Sequence, residues 1–200
     1  MKRLLIVIAL IALMLSSATA QLTKVGGAVG YNHAYYFNNT SSTDHKLKNP
    51  VFSFTGIYEI NLPFHFSPRI NIYFPRIMKG GDASFSWKEI TTGYSIDIDG
   101  HYVVNSLDKF EIYGLAGFNF LYARRKSVTE SIDLPEPFKE VSTNTALGLN
   151  IGAGSYIKVK EQFDLFVELK LILASQVQFV GTAGILLNID WLKKNEETAF

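Results

Sequence analysis

No cysteine occurs anywhere in these 200 residues. That excludes a disulfide framework, thiolate-ligated metal sites and a catalytic thiol. An excess of one charge is lacking too. Nineteen basic and 18 acidic side chains leave a formal net charge of +1, without the basic stripe of a nucleic-acid binder. Long apolar runs are absent after residue 20, so nothing there is built to cross a bilayer as a helix, which takes about 20 such residues.

The first twenty residues hold the one apolar run. Lys2 and Arg3 precede an uninterrupted stretch from Leu4 to Leu15, and Ala18-Thr19-Ala20 supplies small residues in an A-x-A pattern. This reads as a signal peptide over residues 1–20, cleaved before Gln21. The run is too short for a membrane anchor, which needs roughly 18–20 residues. Cleavage leaves 180 residues, enough for one domain, and removes two cations, so 17 basic face 18 acidic side chains. All 15 glycines and all 27 aromatics (15 Phe, 10 Tyr, 2 Trp) lie in the remaining part.

What that part repeats is a period of two. Large apolar residues alternate with small or polar ones over eight segments, at about 24–37, 51–62, 67–78, 91–104, 110–124, 145–159, 163–174 and 179–192. The clearest sets Tyr94, Ile96, Ile98 and Tyr102 against Ser95, Asp97, Asp99 and His101. Such alternation marks strands, not helices. The segments run longer than the usual strand of roughly 5–6 residues. A tilted strand crosses a bilayer in about 9–11. Connectors at 62–66, 105–109 and 160–162 are short, whereas 38–50, 79–90 and 125–144 are long and polar. Short turns on one side and long loops on the other fit a bacterial outer-membrane barrel. The expected fold is therefore all-β: an eight-stranded antiparallel transmembrane up-and-down barrel over residues 21–200, with both termini periplasmic.

The chain resembles the small outer-membrane β-barrel family common in Bacteroidota, also labelled a porin family. It is similar in size to the OmpX class and to the membrane domain of OmpA. The resemblance covers essentially all of residues 21–200 and rests on pattern. Ile185, Leu187, Ile189 and Trp191 are similar to the C-terminal signal read by the outer-membrane assembly machinery, although a charged tail, Lys193 to Ala199, precedes Phe200. The resemblance implies a partner in that machinery during insertion, and contact with outer-membrane lipids and lipopolysaccharide. A monomer is expected.

Cost decides which face meets lipid. A lipid-facing cation at mid-membrane costs about 2–4 kcal/mol, so the apolar face must look outward. The other face carries Lys24, Glu59, Arg69, Asp97, Asp99, Glu111, Lys158, Asp164, Glu168, Lys170 and Asp190. An eight-stranded barrel is just wide enough for side chains to fill it, and buried charges need partners. The hairpins offer Glu59 with Arg69 and Lys158 with Asp164. Barrel closure offers Lys24 with Asp190. Glu168 and Lys170 sit near the waist with Asp97 or Asn150. The expectation is an ionic, glycine-lined plug. Tyr31, Tyr35, Phe74, Trp87 and Tyr122 fall near loop-side strand ends, and Tyr102 and Trp191 near turn-side ends, as two aromatic girdles. A soluble barrel would reverse the faces.

No catalytic set is expected. Ser95 and His101 are six residues apart, about 20 Å at ~3.4 Å per residue, too far to share a proton with Asp99 between them. His33, His45 and His65 show no metal-ligand spacing. No cofactor is implied. The remaining roles are structural or interactive through the loops, with a narrow passive channel and an outer-membrane lipid enzyme as alternatives. Arg124-Arg125-Lys126 is a candidate contact for lipid phosphates, and Asp133 to Phe138 a candidate recognition segment.

Overall fold

A computed structural model describes residues 21–35, 48–61, 63–107, 109–132, 136–174 and 177–189. The expected signal peptide, residues 38–47 of the first long connector, Asp190 and Trp191 lie outside the described residues, as does the side chain of Tyr35, and residues 48–50 of that connector open a strand. Eight strands form: β1 (Gln21–Tyr35), β2 (Lys48–Asn61), β3 (Phe64–Gly81), β4 (Phe85–Ser106), β5 (Phe110–Ser131), β6 (Phe138–Lys160), β7 (Phe163–Leu173) and β8 (Val177–Asn188). Each pairs antiparallel with its neighbours in chain order, and β1 closes on β8 from Lys24↔Asn188 to Tyr35↔Val177. Closure leaves no open sheet edge around the wall.

Alternation fixes which side chains face in. On β7, Asp164, Phe166, Glu168, Lys170 and Ile172 point to the interior, whereas Val167, Leu169 and Leu173 are exposed. On β4, Ser95, Asp97, Asp99 and His101 are buried, while Tyr94, Ile96 and Tyr102 are exposed. The wall is thus apolar outside, and its interior gathers the buried charges and amides together with two apolar clusters, unlike the wholly apolar interior of a water-soluble barrel.

Aromatics band the wall at two levels. Phe64 and Tyr102 pack edge to face at 5.2 Å near the short turns, and Tyr94 stacks on Tyr122 at 5.0 Å toward the other end. Along β4 these levels are eight residues apart, about 27 Å at ~3.4 Å per residue and roughly 20 Å along the axis at a ~40° tilt. That approaches the ~25 Å apolar band of membrane barrels. Phe74 and Tyr31 are exposed on the outer face near the upper level. Trp87 does not join it. It lies seven residues past Tyr94 on the opposite face of β4, with its indole against Gly80, where an added Cβ would meet Nε1 at 2.7 Å.

The larger departure is length. Residues 79–90 and 125–144 were expected as loops. Instead β3 to β6 continue outward as a four-stranded antiparallel sheet, paired from Arg76↔Thr91 to Gly81↔Ser86 and from Thr92↔Arg124 to Phe85↔Ser131, with β6 joining from Phe138. Beyond the wall the outer face mixes Ile77 and Val128 with lysines while the inner face stays polar, with Glu89 8% exposed, so the apolar–polar alternation that marks a half-buried strand disappears although the strand does not. A bulge between Tyr73 and Arg76 keeps the inward side continuous. The β3–β4 turn is tight. Gly81 has φ +136°, and a Cβ there would strike the carbonyl of Phe85. Asp82 closes the turn by accepting hydrogen bonds from the Ser84 N–H (2.9 Å), the Ser84 hydroxyl (2.8 Å) and the Phe85 N–H (3.0 Å). These donors, the Ser84 amide foremost, hold its carboxyl below the ordinary aspartate range.

Candidate functional site

The interior is filled in three tiers. The middle tier is ionic. Arg69 on β3 reaches across the barrel to Glu168 on β7, donating from Nη1 and Nη2 to the two carboxylate oxygens at 2.5 and 2.9 Å. Lys170 donates to Asp97 at 2.9 Å and Asp99 at 2.5 Å, and stands 3.5 Å from Glu168. All five residues are at most 3% exposed. Amides complete the carboxylates: Asn71 and Asn119 donate to Asp97, and Asn150 to Asp99. Tyr113 donates to Glu168 at 3.0 Å. Two cations thus face three carboxylates, and each carboxylate gains further donors. A buried charge needs that satisfaction to persist.

The tier toward the short turns is aromatic and apolar. Tyr113 stacks between His101 (4.4 Å) and Tyr156 (4.5 Å), and His101 Nδ1 shares a hydrogen bond with the Tyr156 hydroxyl at 2.6 Å. Ile57, Phe166 and Leu186 pack with them. Gly154 makes the stack fit, since a Cβ there would overlap the Tyr113 hydroxyl. Below this tier an open recess of about 480 Å³ is lined by residues including Lys24, Glu59, Lys158 and Asp164. The tier toward the outward sheet is neutral: Asn32 donates to Gln178, Ser53 to Asn71, and Val51, Tyr73, Leu121, Ile172 and Val180 pack together.

The partners differ from those expected. Arg69 does not pair with Glu59. In β2–β3 register Glu59 faces His65 and Arg69 faces Thr55. Lys158 and Asp164 are register partners, but their ion pairs go elsewhere: Lys158 to Glu111 at 2.7 Å, and Lys24 to Asp164 at 2.7 Å. Lys24 is therefore taken by Asp164, and Asp190 lies outside the described residues. The waist grouping of Glu168, Lys170, Asp97 and Asn150 does come together. The Tyr113–Tyr156–His101 stack was not anticipated, although inward parity with Glu111 and Asn119 was there to place Tyr113. Ser95, Asp99 and His101 are held apart by other partners: Ser95 bonds Asn71 and Tyr73, and His101 bonds Tyr156.

On the outward sheet, alternation splits the basic run. Arg124 and Lys126 are exposed on the face continuous with the apolar wall. Arg125 lies on the opposite face, where it and Arg76 flank Thr91 in one row. Residues 133–135 of the candidate recognition segment lie outside the described residues, and Phe138 begins β6.

A family model described as "Outer membrane protein beta-barrel domain" matches residues 5–188. Among solved structures, Ail of Yersinia pestis, in complex with the heparin analogue sucrose octasulfate, superposes with a TM-score of 0.53 at 15% identity, covering 84% of this chain and 99% of that one. Neisserial surface protein A superposes with a TM-score of 0.53 at 19% identity, covering 84% and 98%. Comparison with the curated proteins finds no match. These likenesses are of fold.

Proposed function

The chain belongs to the outer membrane protein β-barrel domain family, and from that premise we propose that it is a non-conducting barrel of the bacterial outer membrane with a structural or interactive role carried by its outward sheet. One observation carries this reading: side chains close the interior at its waist, where Arg69, Glu168, Lys170, Asp97 and Asp99 cross it. In this reading residues 1–20 direct export and are removed. The three short turns and both termini face the periplasm, and the assembly machinery inserts the chain as a monomer. No catalytic step is assigned to it.

A narrow channel is the second reading, favoured by the open recess at the turn-side mouth. Lys24 in its lining stands 5.5 Å from the ring of Tyr156, which stacks on Tyr113. Reconstituted into planar bilayers, the protein is expected to give no single-channel steps. Reproducible steps of one size would overturn the closed interior and favour the channel.

A further inference from the structure

The outward sheet sorts its charges by face. In β3–β6 register, Lys79, Lys88, Val128 and Lys139 form one row. Two residues nearer the wall the row is Ile77, Ile90, Lys126 and Val141. Nearer still it is Thr92, Arg124 and Thr143, and then the stacked Tyr94 and Tyr122. All of these are on the face continuous with the apolar wall. Five cations, Lys79, Lys88, Arg124, Lys126 and Lys139, are exposed there, and none has an acidic partner among the described residues. The acids Glu89 and Glu140 lie on the opposite face; Glu130 is the one acid of β4–β6 on the cationic face among the described residues, one row beyond Lys88 and Val128 and bonded to Ser86.

Two features of this face point to an anion. Lys79 and Lys88 are direct cross-strand partners, an arrangement that destabilises a sheet unless a counter-charge lies over it. Arg124 and Lys126, two residues apart on one strand, are ~7 Å from each other and aim the same way. Position then selects the source. At a ~40° tilt the three rows stand roughly 5, 10 and 15 Å beyond the tyrosine pair. Ile77, Ile90, Val128 and Val141 are interleaved with the cations, so the face is amphipathic, as a headgroup zone requires. A phosphate carried on a lipid beside the wall meets this face directly, whereas Arg76 and Arg125 on the other face look away from it.

We propose that the outer face of the extracellular β3–β6 sheet, through Arg124, Lys126, Lys79, Lys88 and Lys139, is a binding surface for the phosphate groups of an outer-leaflet phosphorylated lipid. The inference rests on the membrane placement proposed above. Guanidinium and ammonium groups spaced over three rows take several phosphates at once, with Arg124 giving the bidentate contact nearest the wall.

The test uses the full barrel inserted in phosphatidylcholine vesicles containing bisphosphorylated lipid A, with lipid retained on the extracted protein as the readout. Insertion is scored separately by heat-modifiable gel migration. The variant carrying Lys79→Gln, Lys88→Gln, Arg124→Gln, Lys126→Gln and Lys139→Gln is compared with the opposite-face variant carrying Arg76→Gln and Arg125→Gln. Retention of lipid A should fall roughly tenfold or more in the first and stay near wild type in the second. Lipid A stripped of its phosphates should be retained by wild type no better than by the first variant. Equal retention by wild type and first variant, or equal loss in both variants, would each overturn the inference. A chain that fails to insert overturns the membrane reading with it, whereas a chain that inserts without selective retention overturns this inference alone.

Discussion

Glu168→Leu will lower barrel stability by about 3–5 kcal/mol, and Arg69→Leu combined with it will recover most of that loss. The asymmetry follows from what each change leaves behind. Removing Glu168 alone strands the guanidinium of Arg69 at the waist of a closed barrel, where it is 3% exposed and bonded bidentately to that carboxylate. Removing both takes the charge away with its partner, and two apolar side chains fill comparable volume. Urea unfolding of the folded band in lipid vesicles reads all three proteins. Glu59→Gln serves as the control. It touches the partner that hairpin proximity nominates but the structure does not use, and its midpoint should stay near wild type. Equal losses in the single and double variants would show that Arg69 and Glu168 do not depend on each other.

The second large effect is on the outside. Phe118 is 65% exposed and sits midway along β5 between the rows of Tyr102 and Tyr94. Arginine at this position faces hydrocarbon at its deepest, so Phe118→Arg should cost about 2–4 kcal/mol in a bilayer. In a detergent micelle that wets the belt more freely the loss should shrink. The same substitution at Lys88, beyond the wall, exchanges one exposed cation for another and should leave unfolding unchanged. If Phe118→Arg is neutral in the bilayer, the outward face does not meet lipid.

The faces of the wall were legible in the sequence because each is uniform. Phe54, Ile70, Ile96 and Phe118 repeat every second residue against Ser53, Arg69, Asp97 and Asn119, and the structure puts the first set out and the second in. The ends of β3 to β6 were not legible. Past Tyr94 and Tyr122 the outer face mixes apolar residues with cations and the inner face stays polar, with Glu89 buried, so Lys88, Glu89, Arg124 and Arg125 follow one another without an apolar–polar period although the backbone stays paired. Gly80 and Gly81 then read as part of a loop, whereas only Gly81 is at the turn.

Partner choice in the interior was half legible. Parity names which charges share the interior, but adjacency along a hairpin does not name the pairs. In so narrow a barrel long side chains meet across the axis. Arg69 of β3 therefore reaches Glu168 of β7, 99 residues away, past its register partner Asp97 on β4. Asp97 is left to Lys170, Asn71 and Asn119. Lys24 likewise takes Asp164, and Lys158 turns to Glu111. Tilt and stagger set these meetings, and neither can be read from a single strand.

The absence of native cysteine makes the central claim, apolar outside and polar inside, directly measurable. Single cysteines would be placed at adjacent positions, Ser53→Cys beside Phe54→Cys and Ser95→Cys beside Ile96→Cys, and each protein inserted in vesicles. The native residues at 53 and 95 are fully buried, and those at 54 and 96 are 53% and 44% exposed. A bilayer-soluble maleimide fluorophore should label positions 54 and 96, and nitroxide-bearing lipid should quench it there. Positions 53 and 95 should stay unlabelled until the barrel is unfolded. Labelling of 53 and 95 by a water-soluble reagent, with 54 and 96 protected, would invert the wall and contradict the account.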